Sequence, residues 1–331
     1  MLGIEHPLLA GGLQWLANAD YVAAVVNAGG MGFVTWKSSP SIEHIRAELR
    51  RCNKLTGGRP FGVNLSLSSQ RTNNAGMAEA IKVSLAEGVR IFETVAHGSP
   101  ATLIEALHEG GAIVFHKSSS LKHAMSAERH GADIIGLVGH EEGGHPGDND
   151  LSTFTMCAAA SRTITKPLVM GGGIGTGEQI LGILGVGADG VVMGSRLLVA
   201  TENWAHDDYK RTIAGLDPTC STTVFRSNLA LNGTWRVLNN DTVTEIQARE
   251  RAGKREFADF ADLIRGSIAR DLAYKNGDCR LGMISLGPAA GFCNQIEPME
   301  AIFERLLMEA ATAEQRIAAL TAVPGSQTAA G

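Results

Sequence analysis

Eight short apolar runs, each followed by a turn and most by a longer amphipathic stretch, dominate the first 210 residues of this 331-residue chain. The runs fall at 7–10, 31–35, 61–65, 90–95, 112–117, 133–138, 167–170 and 190–193. Helical patterns lie near 18–27, 42–54, 75–87, 100–109, 120–130 and 151–163. Strand and helix alternating in this way specify a parallel sheet with helical crossovers. Eight units in succession favour a closed TIM (β/α)₈ barrel over an open doubly wound sheet.

After about residue 210 the rhythm stops. Residues 213–240 mix Thr, Ser, Asn and apolar residues. A charged stretch over 241–270 reads as helical, 277–291 is glycine-rich, and 296–322 reads as a long amphipathic helix. The expected organisation is a barrel over 1–210 and a smaller substrate-side module over 211–295, above the barrel mouth. A C-terminal helix in 296–331 packs back on the barrel and ends in a flexible tail over 326–331.

Composition narrows the function. Hydrophobic residues make up 44% and charged residues 19%, which suits a globular fold rather than a disordered one. The net charge of −5 comes with no Lys/Arg stripe, so no nucleic-acid partner is expected. The five cysteines are scattered, without a CxxC pair, which argues against a zinc cluster or a disulfide framework. No run is long enough to span a membrane, and Met1–Pro7 has neither a basic start nor an apolar core. A cytoplasmic location is the expectation.

In such barrels, chemistry collects at the C-terminal ends of the strands. That rule selects Gly11, Gly12 and Leu13 after the first strand and Thr35-Trp36-Lys37 after the second. It selects Asn64 and Ser66 at the third, His97 after the fourth, and His116 and Lys117 at the fifth. The sixth supplies His140-Glu141-Glu142-Gly143-Gly144-His145-Pro146-Gly147. The seventh and eighth end in Gly171-Gly172-Gly173 and Met193-Gly194-Ser195. Glycines there bare backbone N–H groups, which suits a phosphate. The 171–177 turn fits G-x-G-x-x-G in no register, and no P-loop Lys-Ser/Thr follows it.

His140 and His145 lack the i, i+4 spacing of H-E-x-x-H, and the glycines between them oppose a helix, so no metal is expected. His145 instead suits a general base near neutral pH, with a satisfied loop side chain as the other reading. Lys117 can balance an anionic ring or a phosphate, or be a rim lysine. Asn64 and Ser66 can bond the polar edges of a ring system, or cap strand ends.

The motifs Ala10-Gly11-Gly12-Leu13-Gln14-Trp15, Asn27 to Gly32, Arg59 to Leu65, Glu141 to Gly147, Met170 to Gly173, and Gly187 to Gly190 through Met193 to Arg196 occur in one order over about 200 residues. In them the chain resembles the flavin-dependent nitronate monooxygenase family, formerly called 2-nitropropane dioxygenases. The stretch Tyr274 to Gly291 resembles that family's glycine-rich C-terminal segment.

The resemblance implies FMN held non-covalently. Gly171, Gly172, Gly173, Gly194 and Ser195, with Met193 ahead of them, match the phosphate site. Gly11, Gly12 and Leu13 match a segment beside the isoalloxazine. Ser66, Lys117, Gly143 and Gly144 match further flavin contacts, and His145 matches the catalytic histidine. It implies oxidation of an alkyl nitronate with O2 to a carbonyl compound and nitrite. NAD(P)H:quinone reductases and enoyl reductases share most of these motifs, so reduction of a quinone or enoyl substrate by NAD(P)H is the alternative. A non-catalytic flavin-binding protein is the second alternative, and a homodimer is left open. Leu13 departs from a common methionine, and Gly173-Ile174-Gly175-Thr176-Gly177 from a Gly-Phe-Ala-Asp-Gly type turn. Trp36 and Lys37 put a bulky aromatic and a charge near the expected pocket.

Overall fold

A strand buried on both faces needs apolar residues at nearly every position, and the eight runs supply them. The computed structural model describes residues 1–67, 74–96, 98–219, 221–228 and 233–321. His97 and the tail over 326–331 lie outside these. The runs become β1 (Leu8–Ala10), β2 (Met31–Thr35), β3 (Gly62–Leu67), β4 (Ile91–Ala96), β5 (Ile113–Ser118), β6 (Ile134–Val138), β7 (Leu168–Gly171) and β8 (Gly190–Met193). They pair in sequence order, all parallel, and the ring closes where Leu8, Leu9 and Ala10 of β1 meet Val191, Val192 and Met193 of β8. The fold is a TIM barrel.

The crossover helices are α1 (Ala19–Asn27), α2 (Ile42–Leu55), α3 (Met77–Ala86), α4 (Ala101–Glu109), α5 (Leu121–Arg129), α6 (Thr153–Ala160), α7 (Gly177–Val186) and α8 (Asp207–Ala214). Several begin on side-chain caps visible in the sequence: Asn18, Ser41, Ser120, Ser152 and Thr176 each accept a backbone N–H from the first turn. Thr176 and Gln179 form a reciprocal capping box.

Alternation along the strands splits the core into two layers. Leu9, Met31, Phe33, Ile91, Phe115, Ile134, Val169 and Val192 fill the barrel interior. Phe33 and Phe115 meet there at 5.8 Å. A Cβ on Gly62 would lie 2.3 Å from the Phe33 ring, and one on Gly136 2.7 Å from Phe115. These glycines make room for the two plugs. The opposite strand faces pack on the helices.

Beyond α8 come an antiparallel pair, β9 (Thr222–Asn228) and β10 (Gly233–Leu238), and then α9 (Asp241–Arg251). Short turns α10 (Ala261–Ile264) and α11 (Gly266–Ile268) follow, and the last helix is α12 (Met299–Thr321). Phe225, Val237, Val243, Ile246, Phe260, Ile264 and Met283 form a separate small core here. Bridges Gly144↔Arg236 and Val237↔Ser285 tie it to the barrel mouth. The continuous helix expected over 241–270 is broken: α9 ends at Arg251, and Gly253 follows at φ +86°, a left-handed turn that suits glycine. The β9–β10 pair is not anticipated by the sequence reading.

α12 buries Met299, Ile302, Phe303 and Leu306 against the barrel. Burying one such side chain is worth about 1.5–3 kcal/mol. Its Glu309 accepts the Gly177 N–H at 2.8 Å, placing a carboxylate at the start of α7. A Cβ on Gly177 would sit 2.1 Å from the Leu306 carbonyl oxygen, so only glycine lets the two helices approach this closely. No helix among the described residues is long and apolar enough to cross a membrane.

Candidate active site

The strand ends open into one cavity of about 1100 Å³, just above the roughly 300–1,000 Å³ usual for ligand sites. Gly11, Gly12, Leu13, Ser66, Lys117, Gly143, Gly144, His145, Gly172, Gly173, Met193, Gly194 and Ser195 all line it. Asn64 and Gly171 do not. Asn64 is buried behind the wall with its amide on Glu93. Gly171 is the last residue of β7, and its carbonyl accepts the Thr153 hydroxyl at 2.9 Å.

Gly172 and Gly173 have φ +99° and +74°, so the chain turns there as only glycine does readily. A Cβ on Gly172 would lie 3.0 Å from the Glu142 nitrogen, and one on Gly173 2.8 Å from the Glu141 side chain. At Gly194 the nearest atom to such a Cβ is Leu13 Cδ2, at 3.4 Å. Among the described residues, no backbone acceptor takes a hydrogen bond from the N–H groups of Gly172, Gly173 or Gly194. Bare donors on side-chain-free turns at the mouth of the last two strands are the donor set a phosphate requires. The neighbouring Ser195 hydroxyl accepts the Gly287 N–H at 2.9 Å, which ties this turn to the C-terminal glycine-rich segment.

Across the floor, charge is concentrated. Glu93, on β4, is wholly buried. One of its oxygens accepts the Gly12 N–H at 2.7 Å and the Asn64 amide at 2.6 Å; the other lies 3.4 Å from the Lys117 ammonium. Lys117 is also 3.4 Å from Glu142. Burial alone would lower the Lys117 pKa, but the two carboxylates outweigh it and hold the ammonium above its ordinary range. Burial raises the Glu142 carboxyl above the usual carboxylate range, with Lys117 pulling it back in part.

The third wall is the β6 loop. Glu141 accepts the Thr153 N–H at 2.9 Å, anchoring the loop to the start of α6. Gly143 packs so closely on Leu286 and Gly287 that a Cβ would fall 2.5 Å from the Gly287 nitrogen. Gly144 exchanges backbone hydrogen bonds with Arg236 of β10, whose guanidinium also donates to the His140 carbonyl. This clamp brings His145, an exposed imidazole, into a stack on Trp235 of β10 at 4.9 Å and 25°.

Trp36 and Lys37 do not line the cavity, contrary to the sequence expectation. They form a 3₁₀ turn with Ser38, and the Trp36 ring lies toward Gly76. Trp15 lines it instead, at φ +71°. Its N–H donates to Ser38 Oγ at 2.6 Å, its carbonyl accepts the Trp204 indole N–H at 2.8 Å, and the Arg270 guanidinium lies 4.8 Å from its ring. His116 also lines the cavity, hydrogen-bonded to Thr94 at 2.8 Å. Burial pushes its pKa down to about 4, with His123 adding to the shift. Among the described residues, no group of three or more His, Cys, Asp or Glu is arranged to hold a metal ion.

The sequence reading missed Glu93 and Trp235. Glu93 had a signal, a lone carboxylate inside the apolar run Ile91–Ala96. Trp235 had none, since it acts through a strand pair that was not foreseen.

The family model described as nitronate monooxygenase matches residues 1–309. A Mycobacterium tuberculosis protein, named (3aS,4S,5R,7aS)-5-hydroxy-7a-methyl-1-oxo-octahydro-1H-indene-4-carboxyl-CoA dehydrogenase, is 28% identical over 97% of each chain. A nitronate monooxygenase from Neurospora crassa is 29% identical over 60% of this chain and 61% of its own. The structure of FabK from Thermotoga maritima superposes with a TM-score of 0.85 at 30% identity, covering 96% of this chain and 97% of that one.

Proposed function

The chain belongs to the nitronate monooxygenase family, and from that premise we propose that it is an FMN-dependent oxidoreductase that oxidises alkyl nitronates with O2 to a carbonyl compound and nitrite. The observation that carries this reading is one cavity with a phosphate cradle on one wall and an imidazole on another. Gly172, Gly173 and Gly194 hold the phosphate by their N–H groups, next to Ser195. Gly11, Gly12 and Leu13 border the ring, and Lys117 sets a positive charge against it. A flavin bound there would supply the redox chemistry that links substrate oxidation to oxygen. His145 acts as general base on the proton α to the nitro group of a neutral nitroalkane, or assists a nitronate that arrives already deprotonated, with Trp235 fixing the plane of its ring. Ser66, Gly143 and Gly144 complete the contacts, and Asn64 acts from behind the wall through Glu93.

A second reading rests on the comparisons: a relative aligned over 97% of each chain is named a CoA dehydrogenase, not a nitronate enzyme. Under it, a reduced nicotinamide supplies electrons and a quinone or enoyl compound takes them. Anaerobic mixing separates the two. Purified protein should be yellow and should release FMN on denaturation. Bleaching by ethyl nitronate but not by NADH or NADPH supports the first reading. Rapid bleaching by a nicotinamide replaces it with the second. Protein that takes up no FMN sinks both.

A further inference from the structure

Glu93 sits on β4 yet touches groups from three other strand ends. It accepts the Gly12 N–H beyond β1 at 2.7 Å and the Asn64 amide of β3 at 2.6 Å, and it faces the Lys117 ammonium of β5 at 3.4 Å. These approaches depend on both glycines of the β1 turn. A Cβ on Gly12 would lie 2.4 Å from the Asn64 side chain, and one on Gly11 3.3 Å from Glu93 Oε1. That oxygen takes no hydrogen bond among the described residues, although it is fully buried.

Such a carboxylate is an expensive way to fill a barrel. Replacing a buried ion pair by apolar residues of similar volume is often neutral or stabilising, so packing alone does not account for Glu93. Deeper in the same barrel, Leu9, Met31, Phe33, Ile91, Phe115, Ile134, Val169 and Val192 form an apolar layer. Of the neighbours of Glu93, Gly12 and Lys117 belong to the set read above as bordering the flavin, and Asn64 stands directly behind that wall. We propose that Glu93 is the positioning residue of this site: it fixes the Gly12 turn, Asn64 and Lys117 relative to one another and offsets the positive charge that Lys117 presents to the ring.

The proposal rests on the FMN reading and makes predictions of opposite sign. A positive charge beside the ring favours its electron-rich, reduced form, and a nearby negative charge opposes it. E93Q keeps the size and one acceptor oxygen but loses the charge. It should bind FMN at least tenfold more weakly and shift the midpoint potential of the bound flavin upward. K117M should shift the potential downward, and the E93Q/K117M double variant should return it toward the wild-type value. E93D keeps the charge but shortens the reach. It should weaken FMN binding while leaving the potential near wild type, and it serves where E93Q fails to fold. FMN affinity is read by flavin fluorescence, the potential by dye equilibration, and folding by the melting temperature of the apoprotein. Unchanged affinity and potential in a folded E93Q protein, or shifts of the same sign in E93Q and K117M, would overturn the proposal. Wild-type protein that takes up no FMN would instead overturn the reading beneath it.

Discussion

The two ends of the barrel use the same eight strands for opposite purposes. On β5, Phe115 and Lys117 both point inward, two residues apart. Phe115 closes the lower end against Phe33, while Lys117 sits in the upper end between Glu93 and Glu142. The lower end is filled, apolar and matched glycine to ring. The upper end exposes backbone donors and holds like charges together around one ammonium. A parallel barrel can carry both because the period of two sends alternate residues inward at successive heights. The stable end anchors the frame on which the costly end is held.

Substitutions that act on one end only will test this division. The largest effect belongs to the mouth. His145→Ala should cut the rate on a neutral nitroalkane by about 10²–10⁴-fold, as expected for loss of a general base. The imidazole is exposed, so the lost stack on Trp235 should cost no more than about 1.5 kcal/mol of stability. Turnover near the wild-type rate with retained flavin would remove His145 from the chemistry.

Phe115→Ala should do the reverse. Deleting a fully buried ring costs about 3–5 kcal/mol in unfolding free energy, because Gly62 and Gly136 have no side chains to refill the space. Urea unfolding measures this, and FMN stoichiometry at low temperature should stay at the wild-type value. Loss of flavin from a folded variant would mean the two ends are not separable.

The smallest effect sharpens the boundary. The pKa of His116 is lowered from 6.5 to about 4, so between those values the unfolded chain binds the extra proton and the native state does not. Stability therefore falls as the pH drops through that window and is insensitive to this group above it. His116→Gln should flatten the decline, by up to about 3 kcal/mol at its acid end. Melting curves from pH 7 to 4 that keep the wild-type slope would show that His116 titrates normally.

The barrel was legible in the sequence because its strands are buried on both faces and read as unbroken apolar runs. The glycine turns were legible because few residues other than glycine suit the φ values at 172 and 173. What sequence could not convey was partnership. Glu93 looks like an isolated charge until the strands bring Asn64 and Lys117 beside it. Thr222–Asn228 and Gly233–Leu238 carry weak strand signals that depend on pairing with each other and on docking at Gly144. The end of α9 was readable in principle, since Gly253 stands just beyond it.

The seam of the ring has a consequence in time. β1 pairs with β8, and across that seam the Gly11 N–H donates to the Met193 carbonyl. β1 leaves the ribosome before β8 and must therefore wait for it before its own edge is satisfied. The cradle waits longer still, until Gly287 reaches Ser195 and Glu309 reaches Gly177. Contacts so distant along the chain slow folding and leave an open sheet edge exposed meanwhile. The candidate site is thus finished later than the barrel around it, and a nascent chain lacking α12 has no complete mouth to offer.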